Sequence, residues 1–324
     1  MDIYVKKAII HQFSPDDTDL YLADKFLNIT PKIEEYLRKK IERVYSDEAR
    51  TGIFEEDNPF LEMISDDLLE TSVVVANRWK EEFVVSENQK TNDLVFIQFS
   101  KEGVDHFAFL RIALRETLTH LGGEVDNPIK LTQNNLPGFG TGADEALVIN
   151  LQSRKYHLIE KRIKYNGTFL NYFSENLLQA QPKISPKKSI KALEKTAQKI
   201  AESFNTDDFQ FQSKVKSAIF NHIEEENKLS PEKLANDLFD DNLTARLSFI
   251  DQVKEAVPEP VTFEEIDASR QLKKFENQKL SLSNRIELIV PNNVYEDAES
   301  VEFILNENGT YSILIKNIED IQSK

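Results

Sequence analysis

The 324-residue sequence predicts an α+β fold, with a mixed N-terminal domain of helices and antiparallel strands followed by a C-terminal helical region that ends in a β-hairpin. Three observations carry that expectation. β-rich apolar runs crowd the first half, apolar residues recur at helical spacing between residues 187 and 257, and two alternating runs flank Asn308-Gly309 near the end. The expected boundary is QPKISP, Gln181 to Pro186, with two prolines in six residues; residues 1–181 then form the mixed domain and 182–324 the helical region with its terminal strands.

IYVKKAIIHQF (Ile3 to Phe13) has strand character, SPDDTD supplies turn chemistry, and LYLADKF (Leu20 to Phe26) reads as the returning strand. Thr30-Pro31 pairs an N-cap with a first-turn proline, after which Ile33, Leu37, Ile41 and Val44 recur at helical spacing. A second helix is predicted across Asp66 to Phe83. NDLVFIQF (Asn92 to Phe99) and DHFAFLRIAL (Asp105 to Leu114), separated by KEG, read as a central hairpin. The Gly, Pro and Asn-rich stretch from Gly122 to Gly142 is expected to be a long surface loop.

ALVINLQS (Ala146 to Ser153) and YHLIEKRIKY (Tyr156 to Tyr165) read as two further strands. Alternation across the second sets Tyr156, Leu158, Glu160, Arg162 and Lys164 on one face and His157, Ile159, Lys161, Ile163 and Tyr165 on the other. Phe169, Tyr172 and Phe173 are then core positions of a following helix. Beyond the linker the helical segments are 187–204, 211–226, 231–239 and 245–257, and VEFILNENGTYSILIK (Val301 to Lys316) is the closing hairpin.

The formal net charge is −16 and there is no cysteine, which removes disulfides, thiolate metal sites and thiol nucleophiles together and suits a reducing cytoplasm. Apolar residues are spread throughout, as in a folded soluble protein, and neither a signal peptide nor a membrane span is expected. An acidic surface repels phosphate. The charge is uneven, however: residues 151–200 hold eleven Lys or Arg against three acids, a local balance of +8, so the other 274 residues sum to −24.

Much of that excess lies in SPKKSIKALEKTAQKI, Ser185 to Ile200. On a helix starting at Ser185-Pro186, Ile190, Leu193, Ala197, Ile200 and Phe204 share one sector. Lys188, Lys191, Lys195 and Lys199 project from the other side, with Lys187 at its edge. The result is a positive ribbon roughly 16 Å long at about 1.5 Å per residue. Such a ribbon follows a phosphate backbone, yet the solvated face of any amphipathic helix is charged too, and both readings stand at this level. Lys161, Arg162 and Lys164 on the preceding strand are candidate auxiliary phosphate contacts.

Signals for catalysis are absent. LPGFGTGAD (Leu136 to Asp144) superficially resembles a phosphate-cradling loop but lacks the G-x-G-x-x-G and G-x-x-x-x-G-K-[ST] patterns, so a flexible loop is expected. The histidines at 11, 106, 120, 157 and 222 are scattered, DDTD lacks the remainder of an EF-hand loop, and no G-x-S-x-G elbow occurs. No catalytic residue, metal ligand or cofactor is assigned.

Taken together, IYVKKAIIHQF, RVYSDEARTGIFEED (Arg43 to Asp57), LVFIQFSKEGVDHFAFLRIAL, YHLIEKRIKYNGTFLNYFSENL and the terminal strand region resemble the bacterial 37-kDa nucleoid-associated protein family over nearly the full length. The resemblance implies a non-enzymatic, cytoplasmic protein of the nucleoid that associates with DNA, directly or through another nucleoid protein. It supplies no motif that fixes the contacts, so Lys187, Lys188, Lys191, Lys195 and Lys199 rest on charge and helix geometry alone. A homo-oligomer is compatible with the sequence. The rival class is an acidic interaction module, or DNA mimic, that docks its −24 surface on a basic partner. A metal-dependent nuclease is a third class, for which no carboxylate is preferred.

Overall fold

The first strand changes its allegiance halfway along. In β1 (Ile3–Ser14) the side chains of Ile3 and Val5 enter one hydrophobic layer, and so does Ala8, whereas Ile9 and Phe13 enter another. A β-bulge explains the switch: opposite Val5 and Lys7 stand Phe99 and Gln98, leaving Lys6 as the extra residue that inverts the two-residue alternation. The computed structural model describes residues 1–16, 19–83, 90–120, 129–165, 167–204, 209–263, 265–283 and 285–322. It divides into two units, Met1–Ser185 and Pro186–Lys324.

The first unit is built on an antiparallel sheet of seven strands. After β1 come β2 (Asp19–Tyr21), α1 (Pro31–Glu42), β3 (Arg50–Ile53), α2 (Pro59–Glu62), α3 (Leu68–Phe83), β4 (Asn92–Lys101), β5 (Val104–Ala113), β6 (Arg115–His120), β7 (Ile129–Asn135), β8 (Glu145–Asn150) and β9 (Lys155–Ile159). The sheet order is β2-β1-β4-β5-β8-β9-β3. Each face carries its own core. Val75, Ala76, Trp79 and Phe83 of α3 pack with Phe96, Phe109 and Leu147, while Leu37 and Ile41 of α1 pack with Ile97, Ala108, Leu110 and Val148. The central strands are buried on both sides and read as continuous apolar runs for that reason.

The β4–β5 hairpin closes through Glu102 and Gly103, both at positive φ (53° and 80°), the backbone of a two-residue type I′ turn. Thr30 caps α1 as expected, accepting the Ile33 N–H at 3.4 Å. Three expectations need correction. Only Asp19–Tyr21 returns along β1, because the N–H of Ala23 is taken by His11 Nδ1 (3.1 Å) and that of Leu27 by the Ala8 carbonyl (2.8 Å), which ends the ladder before Phe26. The span from Gly122 to Gly142 is not all loop: Ile129–Asn135 pairs with β6, braced by contacts among the Thr117, Thr119 and Thr132 hydroxyls, while residues 122–128 of that span lie outside the described residues.

The third correction concerns YHLIEKRIKY, which is not one strand. β9 stops at Ile159, and a separate small hairpin, β10 (Ile163–Tyr165) with β11 (Thr168–Leu170), follows. Glu160 breaks the run. Its carboxylate is drawn sideways to the Arg50 guanidinium, to the Ser174 N–H (3.0 Å) and to the Ser174 hydroxyl (2.9 Å), at the start of a π-helical turn, Phe173–Leu177. Tyr172 and Phe173 are buried as expected, but Phe169 lies on β11 and is exposed.

A charged chain runs through the first core. Arg111 Nε donates to Glu145 Oε2 (2.6 Å) and its Nη1 to Asn92 Oδ1 (2.8 Å); the Tyr172 hydroxyl donates to the same Glu145 oxygen and receives the Trp79 indole N–H at 3.0 Å. Burial works against the Arg111 cation, but Glu145 and then Tyr172 outweigh it and its pKa moves up. The Tyr172 phenol is pushed well above its ordinary value, first by burial and then by Glu145.

The second unit contains α4 (Pro186–Ser203), α5 (Phe209–Glu226), β12 (Lys228–Leu229), α6 (Pro231–Leu238), α7 (Leu243–Lys254), β13 (Val261–Thr262) and α8 (Glu265–Phe275). Ile190, Leu193 and Ala197 of α4 join Ile219 and Ile223 of α5, Leu234 of α6 and Phe249 of α7 in one core. Two hairpins complete it: β14 (Asn277–Ser281) with β15 (Glu287–Pro291), then, after the short α9 (Asn292–Tyr295), β16 (Val301–Leu305) with β17 (Tyr311–Ile315). The last turns through a three-residue loop, with the Gly309 N–H donating to the Asn306 carbonyl (2.9 Å) and Gly309 at φ 78°. Among the described residues no helix is long and apolar enough to cross a membrane.

Candidate nucleic-acid interface

Helix α4 is amphipathic by construction. Ile190, Leu193, Ala197 and Ile200 are buried, and Lys187, Lys188, Lys191, Lys195 and Lys199 are all exposed. Among the described residues Lys188, Lys191 and Lys195 make no ion pair, and Lys199 Nζ donates to a neutral partner, Gln252 Oε1 of α7, at 3.0 Å. Neither acid of α4 itself pairs with Lys188, Lys191 or Lys195 among the described residues. Glu202 accepts from Gln198 (3.3 Å), and Glu194 is withdrawn into the helix flank, where burial raises its pKa against the opposing pull of Lys216.

The lysine placement opposes helix stability. Lys187 and Lys188 fall in the first turn of α4, which holds no acid, at the positive end of the helix dipole. Lys187/Lys191, Lys191/Lys195 and Lys195/Lys199 are like-charged pairs four apart, each unfavourable by about 0.2–0.5 kcal/mol. Helix α1 has the opposite arrangement, with Glu34 in its first turn and Lys39 and Lys40 in its last.

The auxiliary candidates lie in the first unit and differ from one another. Lys161 is bound to Asp144 at 2.6 Å, and although burial opposes it, this contact with the Ala113 N–H holds the Asp144 carboxyl below its ordinary pKa. Arg162 Nε donates to Asn171 Oδ1 at 3.4 Å, and Lys164 stands exposed on β10. The broken strand removes the continuous face on which they were to alternate with tyrosines, and Tyr156 is in the core.

Sequence reasoning missed a second cationic locality. Lys40 is fully buried, and its ammonium is ringed by the carbonyls of Pro137 (3.4 Å), Gly138 (2.9 Å) and Thr141 (2.5 Å). LPGFGTGAD is therefore a pinned loop, further held by the Tyr36 hydroxyl on the Pro137 carbonyl (3.0 Å) and by edge-to-face contact of Tyr36 with Phe139. Burial, with the neighbouring charges of Arg43 and Arg115, lowers the Lys40 pKa to about 8. Its glycines were the one visible signal; the lysine beneath them lies about a hundred residues earlier.

No group of three or more His, Asp or Glu gathers to hold a metal ion among the described residues. A shallow cleft by α3 and the π-helical turn is lined by Arg78, Glu82, Glu175, Asn176 and Gln181. Arg78 already pairs with Glu81 and Glu82, both at 2.9 Å, and Glu82 with Asn176 at 2.8 Å. His11, His106 and His157 are buried, and His222 contacts Asp237 at 2.6 Å.

Fold and site together define a class: a two-unit α+β protein that carries a solvent-facing cationic helix in an otherwise acidic chain. A family model described as nucleoid-associated protein YejK matches residues 9–321, and the chain belongs to that family. No curated relative matches it.

Proposed function

We propose that the protein is a non-enzymatic DNA-associating component of the cytoplasmic bacterial nucleoid, binding duplex with weak sequence preference through the lysine row of α4. The observation that carries the reading is a row of exposed ammonium groups kept where it weakens its own helix, in a chain of net charge −16. Family membership supports the nucleoid setting. Lys187, Lys188, Lys191, Lys195 and Lys199 contact phosphates and so position the protein without reading bases. Lys164 and Arg162 are secondary contacts, and Lys161 is the weakest of the set because Asp144 already holds it.

Five neutralised phosphates give a slope of about −4 to −5 in log affinity against log salt. A fluorescence-anisotropy titration of a duplex at several salt concentrations tests this, with glutamine at the five helical lysines as comparison. The variant is expected to flatten the slope while melting no lower than wild type, since like-charge repulsion is relieved. Equal slopes reject the lysine row, and a flat wild-type response rejects the electrostatic mechanism. The rival reading, docking of the acidic bulk on a basic partner, predicts capture of that partner from nuclease-treated lysate by both forms alike.

A further inference from the structure

The loop from Pro137 to Gly142 is arranged with its carbonyls inward. Those of Pro137, Gly138 and Thr141 converge on Lys40. In a planar trans peptide the carbonyl and the following N–H point in opposite directions. The N–H groups of Gly138, Phe139 and Gly142 therefore face away from the lysine, and none donates a hydrogen bond within the described residues. Gly138 and Gly140 have open space where a side chain would project, so a ligand can approach the backbone closely.

Two guanidinium groups border this surface. Arg43 follows α1, with its Cδ packed 3.7 Å from where a Gly142 Cβ would lie, and Arg115 begins β6 opposite Asn135, the second residue before Pro137. Both are exposed, and neither side chain has an ion-pair or hydrogen-bond partner among the described residues. Their charges are felt at Lys40, which places the three cations in one locality. The acids nearby are engaged: Asp144 by Lys161, Glu35 by Lys39 (2.9 Å) and Glu42 by Arg38 (3.0 Å). Lys39 lies over the Phe139 ring, 5.4 Å from its centre.

We propose that this loop, with Arg43 and Arg115, is a phosphate-binding site in the first unit, distinct from the α4 row. An outward-facing amide of the loop donates to a phosphate oxygen, the guanidinium groups supply the charge and most of the donors, and Lys40 fixes the loop and charges it from beneath. The site needs neither a Walker lysine nor a following helix, because its inversion is imposed by an internal ammonium. The ligand is a phosphate group, taken here as that of a nucleic-acid backbone, and only that choice of source rests on the DNA reading above.

The test uses the full chain, R43Q/R115Q, and R43K/R115K as the charge-conserving control, with two probes: inorganic pyrophosphate followed by ³¹P line broadening, and a short duplex followed by anisotropy against salt. The guanidinium groups are solvated and unpaired, so R43Q/R115Q is expected to melt with wild type. Backbone binding predicts a salt slope shallower by about 2 in that variant. A free phosphate compound as ligand predicts pyrophosphate broadening that wild type and the lysine control show and the glutamine variant loses, with the duplex slope unchanged. Either loss supports the site, and the probe affected identifies the source. Loss of neither overturns it. A wild type that ignores duplex altogether defeats the preceding proposal and leaves the pyrophosphate comparison to decide this one.

Discussion

His11 shows how much one buried ring can dictate. Its Nδ1 accepts the Ala23 N–H (3.1 Å), so Nε2 carries the proton and donates to Ser72 Oγ (2.9 Å), whose hydroxyl passes on to the Leu69 carbonyl (2.8 Å). Both nitrogens are occupied in the neutral state, and burial lowers the pKa against a smaller opposing contribution from the backbone at Ile10. The unfolded chain thus takes up a proton near pH 6.5 and the folded one only below that. Stability from His11 is complete above 6.5 and is lost as pH falls through 6.5 toward the folded pKa. His106, whose pKa burial also lowers, acts in the same direction. The urea midpoint is expected to fall between pH 7 and pH 5, and less steeply in His11→Gln; a wild-type midpoint level across that range contradicts the assignment. A scattered histidine reads from sequence as structural, but its partners twelve and sixty-one residues away do not.

Among elements, β1 is the most sensitive to register. Lys6 at the bulge is exposed and, among the described residues, pairs only with exposed Asp105, so Lys6→Ala is expected to change stability by less than about 1 kcal/mol. Deleting Lys6 is different: it removes the parity switch and turns Ile3 and Val5 away from the α1 layer. The loss is expected at about 3–6 kcal/mol, two aliphatic side chains at about 1.5–3 each, read as the gap between the two variants in urea unfolding. Indistinguishable midpoints would show that the bulge does not set the register. Hairpins β4–β5 and β16–β17 were legible because their turn chemistry sits in two to five consecutive residues. The end of β9 was not, because the group that breaks it, Glu160, answers to Arg50, 110 residues away, and to Ser174. Burial on both sheet faces removes alternation from the central strands, which were recognised instead as β-rich apolar runs.

For the whole molecule, the alternation of strand-rich and helix-rich segments sufficed to anticipate the α+β class, since each unit fills its own core from residues near in sequence. Trp79 is the sole tryptophan and is fully buried in the first unit, where its indole N–H meets Tyr172. A fragment of residues 1–185 is expected to keep the blue-shifted emission of a buried indole and to lose it in one cooperative urea transition. Emission typical of a solvated indole before urea is added would mean that the two cores depend on each other. The lysine row was visible at this scale because charge is additive along a sequence. The Lys40 locality was not, since Lys40 and Arg43 come from one segment, Arg115 from another some seventy residues on, and the loop they flank carries no cation at all.

Lys40 has a further consequence for the proposed contact with a polyelectrolyte. A ring of inward carbonyls is the kind of cage that elsewhere captures a dissolved potassium ion, but here the guest is tethered to α1 by its own side chain. Osmotic swings that flood a cell with monovalent salt weaken every contact made to a nucleic acid. They leave this cage filled, so the loop keeps its shape while the proposed grip is being titrated.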